Sequence, residues 1–233
     1  GTGIIYSCGN IEGFTLGVEI CEDLWVTIPP SSELAAAGAT VIANLSCSDE
    51  VAGKSSYRKS IVSAQSMHLV SAYIYANAGM GESTTDLVFS GHSMIAENGM
   101  MLNESKMYEN GLIEADVDLE RITQERQRIG TWLPSYSDSI KEVNFTFEDV
   151  TAEKFVPERE IGRLPFVPSD ERALFERAKG ILDIQVHGLA SRIKHIGCEN
   201  VVLGLSGGLD STLALIVCVQ TYDLLKISRD KIK

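Results

Sequence analysis

Two short stretches of this chain combine residue types that could do covalent or phosphate chemistry. In EICEDLW, residues 19–25, Cys21 stands where a β-branched, strand-like run stops, and Glu22 and Asp23 follow it directly. A cysteine at a strand's end, on a tight turn into the next element, projects its Sγ out of the sheet, where neighbouring backbone N–H groups can stabilise an oxyanion. The thiolate is the reactive form, so such a nucleophile needs a base and a nearby cation. Two adjacent carboxylates work against it by repulsion, and the cation must come from elsewhere. Position alone leaves a second reading open, in which Cys21 is a small buried hydrophobe.

The other stretch, LGLSGGLDST, is the more specific. A Gly-rich turn between a buried strand and a helix exposes backbone N–H groups, and the helix N-terminus adds partial positive charge, which makes an anion site suited to phosphates. Gly207 and Gly208 allow close backbone approach, and Ser206 and Ser211 offer hydroxyls to phosphate oxygens. Asp210 would repel a phosphate, so its natural role is to ligate a Mg²⁺ ion that bridges to it. No Lys follows the glycines, so the stretch is not a G-x-x-x-x-G-K-[ST] loop that cleaves a γ-phosphate. On spacing alone, a β-α turn with a capping Asp or Ser also fits.

The elements that must position these residues alternate. TLGVEI (15–20) reads as a strand, SSELAAAG (31–38) as a short helix closed by Gly38, and TVIANL (40–45) as a buried strand. A helical pattern from about Ser55 to Val70 and a strand over YIYANA (73–78) complete a β-α-β-α-β order, which predicts an α/β layered fold. HSMIAENGMMLNES reads as a hairpin turning at Asn98-Gly99. LIEADVDL and a charged helix over ERITQERQR follow. Residues 131–168 change character: Pro134, Pro157, Pro165 and Pro168 fall there without long periodicity, which predicts a linker or arm. A long amphipathic helix capped by Ser169 then runs to Gly197, before a strand over Val201–Leu205, the Gly-rich turn and a last helix.

Composition narrows the function classes. The 233 residues are 44% hydrophobic and 22% charged, enough for a packed core. The net charge of −12 argues against nucleic acid or an anionic membrane as partner, because either needs clustered Lys and Arg. Much of that excess lies between positions 97 and 172, where seventeen acidic residues face nine basic ones. The longest apolar run, LALIVCVQ, is far short of the ~20 residues that span a bilayer. Five cysteines (Cys8, Cys21, Cys47, Cys198, Cys218) without a C-x-x-C pair predict reduced thiols in a cytoplasmic protein. The chain opens on GTGIIYS, without Met, and ends on a helical LLKISRDKIK, as expected of an interior piece of a longer polypeptide.

With the residues in view, S-G-G-L-D-S resembles the pyrophosphate loop of ATP-pyrophosphatases, which adenylate a carboxyl or amide oxygen and release pyrophosphate. GVEICEDLW, PPSSELAAAGATVIANLS and YIYANAGMGESTTDLVFSGHSMIAENG together resemble the second half of a nitrilase-type glutaminase domain. Their order resembles the glutamine-dependent NAD⁺ synthetase family, in which that domain is fused to an ATP-pyrophosphatase domain. The resemblance implies the C-terminal half of an α-β-β-α sandwich over residues 1–130, a linker or arm over 131–168, and the start of a Rossmann-like synthetase domain over 169–233.

By the same resemblance, Cys21 is the nucleophile that attacks the glutamine side-chain amide, and Glu22 holds the glutamine α-amino group. Ser48 matches a glutamine-contacting position, and Lys54 lies near a basic position expected to meet the α-carboxylate. Ser206, Gly207, Gly208, Asp210 and Ser211 match the ATP loop, with Asp210 on Mg²⁺. ATP and Mg²⁺ are the implied cofactors; glutamine, ATP and deamido-NAD⁺ are the implied partners, in a homo-oligomer. The family's triad is Glu-Lys-Cys, and residues 1–20 hold Glu12 and Glu19 but no Lys. The chain alone is therefore expected to be inactive. Rival readings are another glutamine amidotransferase with an ATP-pyrophosphatase domain, or a degenerate interaction module. A tRNA-thiolating enzyme should be basic. Blander roles are expected for His68, His92, Trp25 and Trp132 as packing or surface residues, and for Glu82 as a loop carboxylate, near the cysteine or not.

Overall fold

A computed structural model describes residues 3–83, 85–132, 134–135, 139–148, 157–159, 161–164 and 166–233. Pro165, one of the prolines of the expected linker, lies outside the described residues. The chain divides into two compact units, Gly1–Glu160 and Ile161–Lys233.

The first unit is built on a seven-stranded sheet. β1 (Ile4–Cys8) and β2 (Thr15–Ile20) form an antiparallel pair. β3 (Val41–Ser46) and β4 (Ala72–Asn77) continue parallel to β2, with Glu19 opposite Asn44 and Asn44 opposite Tyr75. β5 (Met94–Glu97) and β6 (Met100–Glu104) make the expected hairpin, and β5 pairs antiparallel with β4. Asn98 (φ 45°) and Gly99 (φ 85°) turn it, and a side chain at Gly99 would strike Met67 Cβ at 2.9 Å. β7 (Lys141–Phe145) lies on the far edge, parallel to β1, giving the order β6-β5-β4-β3-β2-β1-β7. Neither β1 nor β7 was expected, and β7 takes part of the anticipated linker into the sheet. Its residues are mostly exposed, and its lysine and glutamate suit an edge strand that must not pair further.

The three parallel strands are linked by helices, as parallel connections require. α1 (Pro30–Ala36) starts on a proline and ends before Gly38, whose φ of 119° needs glycine. α2 (Lys54–His68) follows β3. Both cover one sheet face, where Leu34, Ala35, Val62 and Leu69 pack on Ile42, Tyr73, Tyr75 and Met94. α3 (Leu119–Arg128), capped by Asp118, covers part of the other face through Ile122 against Val41 and Ala72. Beyond its reach Ile20 and Leu45 are more than half exposed. Arg126 is buried and donates to the carbonyls of Ala39, Leu69 and Val70, and burial pulls its pKa down to about 10. Trp132 lies against its guanidinium, 4.5 Å from ring centre to Cζ, so this tryptophan packs as expected.

The second unit contains α4 (Glu171–Ile196) and α5 (Leu209–Leu225), packed through Val186, Ala190, Ile193, Val217, Cys218 and Tyr222. Asp170, not Ser169, caps α4, because its carboxylate accepts the Ala173 N–H at 2.8 Å. The strand expected over Val201–Leu205 is reduced to a single parallel bridge between Val201 and Ile232. An extended segment becomes a strand only beside a hydrogen-bonding partner, and here that partner is the short stretch around Lys231–Lys233.

Candidate functional site

β2 delivers Cys21 to the carboxyl end of the parallel strands. There the backbone leaves the sheet abruptly, with φ of 49° at Cys21, into a 3₁₀ turn over Cys21–Trp25. A left-handed residue bearing a β-carbon is strained, and the surroundings must hold it. Asn44, fully buried on β3, accepts the Cys21 N–H at 3.1 Å and lies 3.4 Å from the Cys21 carbonyl through Nδ2. Asp23 accepts the Ile20 N–H at 2.8 Å, which closes the turn from below. Leu24 is buried and anchors it in the core.

A buried polar chain fixes Asn44 in its turn. Its Nδ2 also donates to the Tyr73 hydroxyl at 3.2 Å, and Tyr73 donates to Glu19, which accepts the Ser31 N–H at 2.9 Å as well. Glu19, Asn44, Tyr73 and Ser31 are all fully buried. Burial, and then the neighbouring Glu19, push the Tyr73 phenol far above its ordinary value, so it remains a donor throughout the accessible pH range. The Cys21 sulfur meets two donors from β3's end: the Ser46 hydroxyl at 3.7 Å and the Cys47 N–H at 3.5 Å. Ser46 is held by the Tyr75 hydroxyl at 2.6 Å. Both donors hold the sulfur at the end of β3. Neither is a cation, so among the described residues no Lys or Arg hydrogen-bonds the Cys21 sulfur.

The other expected glutamine-site residues fall on the same rim. Glu22 is exposed and makes no hydrogen bond or ion pair among the described residues. Ser48 is buried, its backbone clasped by the Asn77 amide at 2.8 and 3.2 Å. Lys54 pairs with Asp49 at 2.6 Å and lies 5.8 Å from the Trp25 ring centre, while Trp25 stacks on Tyr57. The Lys54 hydrogen bond holds the Asp49 carboxyl below its ordinary value. A ligand carboxylate would have to share this lysine with Asp49. Behind the loop, fully buried Arg58 joins Glu50 at 3.0 Å and His92 at 3.0 Å, and His92 reaches Glu104 at 2.8 Å. His92 is thus a core histidine within an ionic network. Glu82 is exposed on its loop, and His68 ends α2.

In the second unit, Gly207 (φ 83°) and Gly208 lead into α5. The Ser206 hydroxyl lies 3.2 Å from that of Ser211 and accepts the Gly208 N–H at 3.4 Å. A β-carbon at Gly207 would meet nothing within 4 Å, so the loop is open above its glycines. Asp210 sits in the first turn of α5, exposed and without an ion pair. Hydroxyls, free loop amides and a helix N-terminus fit a polyphosphate. Among the described residues no three His, Cys, Asp or Glu side chains gather to hold a metal. An ion at Asp210 would therefore depend on phosphate oxygens for its other ligands.

The carbon-nitrogen hydrolase family model matches residues 5–127, more than half of the chain, and includes every residue around Cys21 described above. The chain belongs to the carbon-nitrogen hydrolase family. The NAD synthase model matches residues 181–228, which include the Gly-rich loop. The chain is similar to the glutamine-dependent NAD(+) synthetase of Mycobacterium bovis, 42% identical over 231 residues, covering 96% of this chain and 34% of that protein. That of Thermotoga maritima is 32% identical over 222 residues, covering 93% and 35%. A solved glutamine-dependent NAD⁺ synthetase from Acinetobacter baumannii, in complex with adenosine diphosphate, is 22% identical with a TM-score of 0.44, covering 98% and 34%. The chain spans about a third of the length of the relatives it matches.

Within this carbon-nitrogen hydrolase unit, sequence reasoning singled out Cys21, Glu22, Ser48 and Lys54 but missed the buried residues that hold the Cys21 turn. Asn44, Ser46, Tyr73 and Tyr75 alternate on the buried face of β3 and β4. Polar residues at period two inside apolar strands, VIANLS and AYIYAN, were the available signal.

Proposed function

We propose that this chain is part of a glutamine-dependent NAD⁺ synthetase, with a glutaminase site at Cys21 and an ATP-dependent synthetase site at the Gly-rich loop. The observation that carries the reading is Cys21 itself: a strained, left-handed residue at a strand end with two donors on its sulfur. The thiolate attacks the glutamine side-chain carbonyl, ammonia leaves as the tetrahedral species collapses, and water hydrolyses the thioester. Glu22, Ser48 and Lys54 bind the amino-acid end of glutamine. Glu22 is exposed and unpaired, as a residue awaiting an ammonium group would be.

In the second unit, Ser206, Gly207, Gly208 and Ser211 hold the ATP phosphates, and Asp210 would hold Mg²⁺, which would neutralise phosphate charge. The nicotinate carboxylate of deamido-NAD⁺ takes the AMP part of ATP as pyrophosphate leaves, and ammonia then displaces AMP to give the amide of NAD⁺. We assign the protein to the cytoplasm as a homo-oligomer, and no helix among the described residues is long and apolar enough to cross a membrane.

Two variants of the full-length protein test the division of labour. Cys21→Ala should abolish glutamine-dependent NAD⁺ formation and spare the reaction run on free ammonia. Asp210→Ala should remove both. Loss of both in Cys21→Ala, or normal ammonia-dependent turnover in Asp210→Ala, refutes the assignment.

A further inference from the structure

Cys21 is not the only thiol at its site. Cys47 follows β3 as Cys21 follows β2, and the two strands are hydrogen-bonded neighbours with Ile20 opposite Leu45. Cys21 is the first residue beyond β2, and Cys47 the first beyond β3. The Cys47 N–H points at the Cys21 sulfur from 3.5 Å, so the Cys47 Cα, ~1.5 Å from its own nitrogen, lies within about 5 Å of that sulfur. Cys47 is exposed, so its side chain is free to change rotamer. The remaining cysteines are placed elsewhere: Cys8 on β1 bonds Asn10, and Cys198 and Cys218 belong to the second unit.

We propose that Cys47 is a resolving cysteine, forming a reversible disulfide with Cys21 when the site meets a hydroperoxide. The inference rests on reading Cys21 as a reactive thiol and adds a modification site to it. In the first step the Cys21 thiolate attacks one peroxide oxygen; an S–O bond forms, the O–O bond breaks, and hydroxide leaves, giving a sulfenic acid. In the second, the Cys47 sulfur attacks the Cys21 sulfur, the S–O bond breaks, and water leaves with the Cys47 proton. Two thiols and one hydrogen peroxide become one disulfide and two waters. An external dithiol reverses it by exchange. The disulfide occupies the nucleophile and so stops glutamine hydrolysis, and it shields Cys21 from irreversible oxidation to sulfinic acid.

The test treats the full-length protein with hydrogen peroxide and digests it after Asp and Glu. This separates Cys21, in residues 20–22, from Cys47, in residues 34–49. The expected product is these two peptides joined, two hydrogens lighter than the sum of their thiol forms. Glutamine hydrolysis should fall at least ~tenfold and return with dithiothreitol. In Cys47→Ser, measured against its own untreated rate, the same peroxide should leave sulfinic acid on Cys21 and a loss that dithiothreitol does not restore. A wild-type protein that carries Cys21 sulfinic acid with Cys47 still a free thiol overturns the proposal. So does a link from Cys21 to Cys8, or equal dithiothreitol rescue of Cys47→Ser. A joined peptide in a protein that never hydrolyses glutamine would refute the functional reading and leave the disulfide standing.

Discussion

Removing one oxygen atom, in Tyr73→Phe, tests whether the buried polar chain behind Cys21 holds the Cys21 turn. Phenylalanine keeps the ring that packs with Ile42 and Met94, so no cavity term enters. What is lost is the donor to Glu19 and the acceptor for Asn44 Nδ2. Glu19 keeps the Ser31 N–H at 2.9 Å but is fully buried with one donor fewer. A bond to a charged partner contributes ~1.5–3 kcal/mol and the neutral bond to Asn44 ~1, so the variant should lose about 2–4 kcal/mol. For the transition of a unit of ~150–250 residues that corresponds to a fall of about 5–15 °C in melting temperature. Tyr75→Phe is the internal control, because it gives up one neutral bond to Ser46 and should cost only ~0.5–1.5 kcal/mol. Calorimetry on the full-length protein reads both. Glutamine kinetics should show kcat down about tenfold in Tyr73→Phe with KM nearly unchanged, since Asn44 no longer fixes the Cys21 backbone. Combining it with Glu19→Gln should be less than additive. If Tyr73→Phe melts within ~1 °C of wild type, or is milder than Tyr75→Phe, the chain does not support the turn.

Three further outcomes follow from the same contacts. Lys54→Met should raise the KM for glutamine about ten- to a hundredfold and leave kcat alone, as a lost substrate carboxylate contact of ~1.5–3 kcal/mol would, seen in steady-state glutaminase assays. Arg159→Leu strips two hydrogen bonds, at 2.8 and 2.9 Å, from Glu97, which is buried and among the described residues then keeps only the Asp118 N–H. It should cost ~3–5 kcal/mol in urea unfolding, and adding Glu97→Gln should recover part of that loss. Burial raises the Glu104 carboxyl, but hydrogen bonds from Lys59 and His92 outweigh it and hold the group below 4.5. A depressed carboxyl stabilises the fold above its unfolded value and stops doing so as pH falls through its native one. Urea midpoints between about pH 7 and 3 should therefore fall less steeply in Lys59→Met than in wild type.

The elements that read correctly from the sequence are those whose signals are local. TLGVEI alternates, Asn98-Gly99 can turn in the left-handed region, and Gly38 and Gly197 end helices. β1 escaped because it is short, and β7 because it is short and its partner, β1, lies more than 130 residues away. KEVNF has the composition of a surface linker, and only the edge position of β1 makes it a strand. The run Val201–Leu205 shows the converse, since apolar residues without a neighbouring strand do not form one. Ser169 and Asp170 are both good caps, and the choice between them depends on which side chain reaches Ala173. At the site, Cys21 and the loop at Ser206–Ser211 stood out by type and spacing. Glu19, Asn44 and Tyr73 did not, because their meeting depends on the register of three strands.

The left-handed backbone of Cys21 has one further consequence. Glycine would occupy that position with less strain, by ~1–2 kcal/mol, so a sequence selected for stability alone would not keep a side chain there. Cys21 is held in place against the preference of its own backbone, by buried groups that belong to the sheet. Under the proposed function, stability and activity are opposed at this residue: drift toward a more comfortable turn would yield a sturdier protein with nothing to offer a substrate.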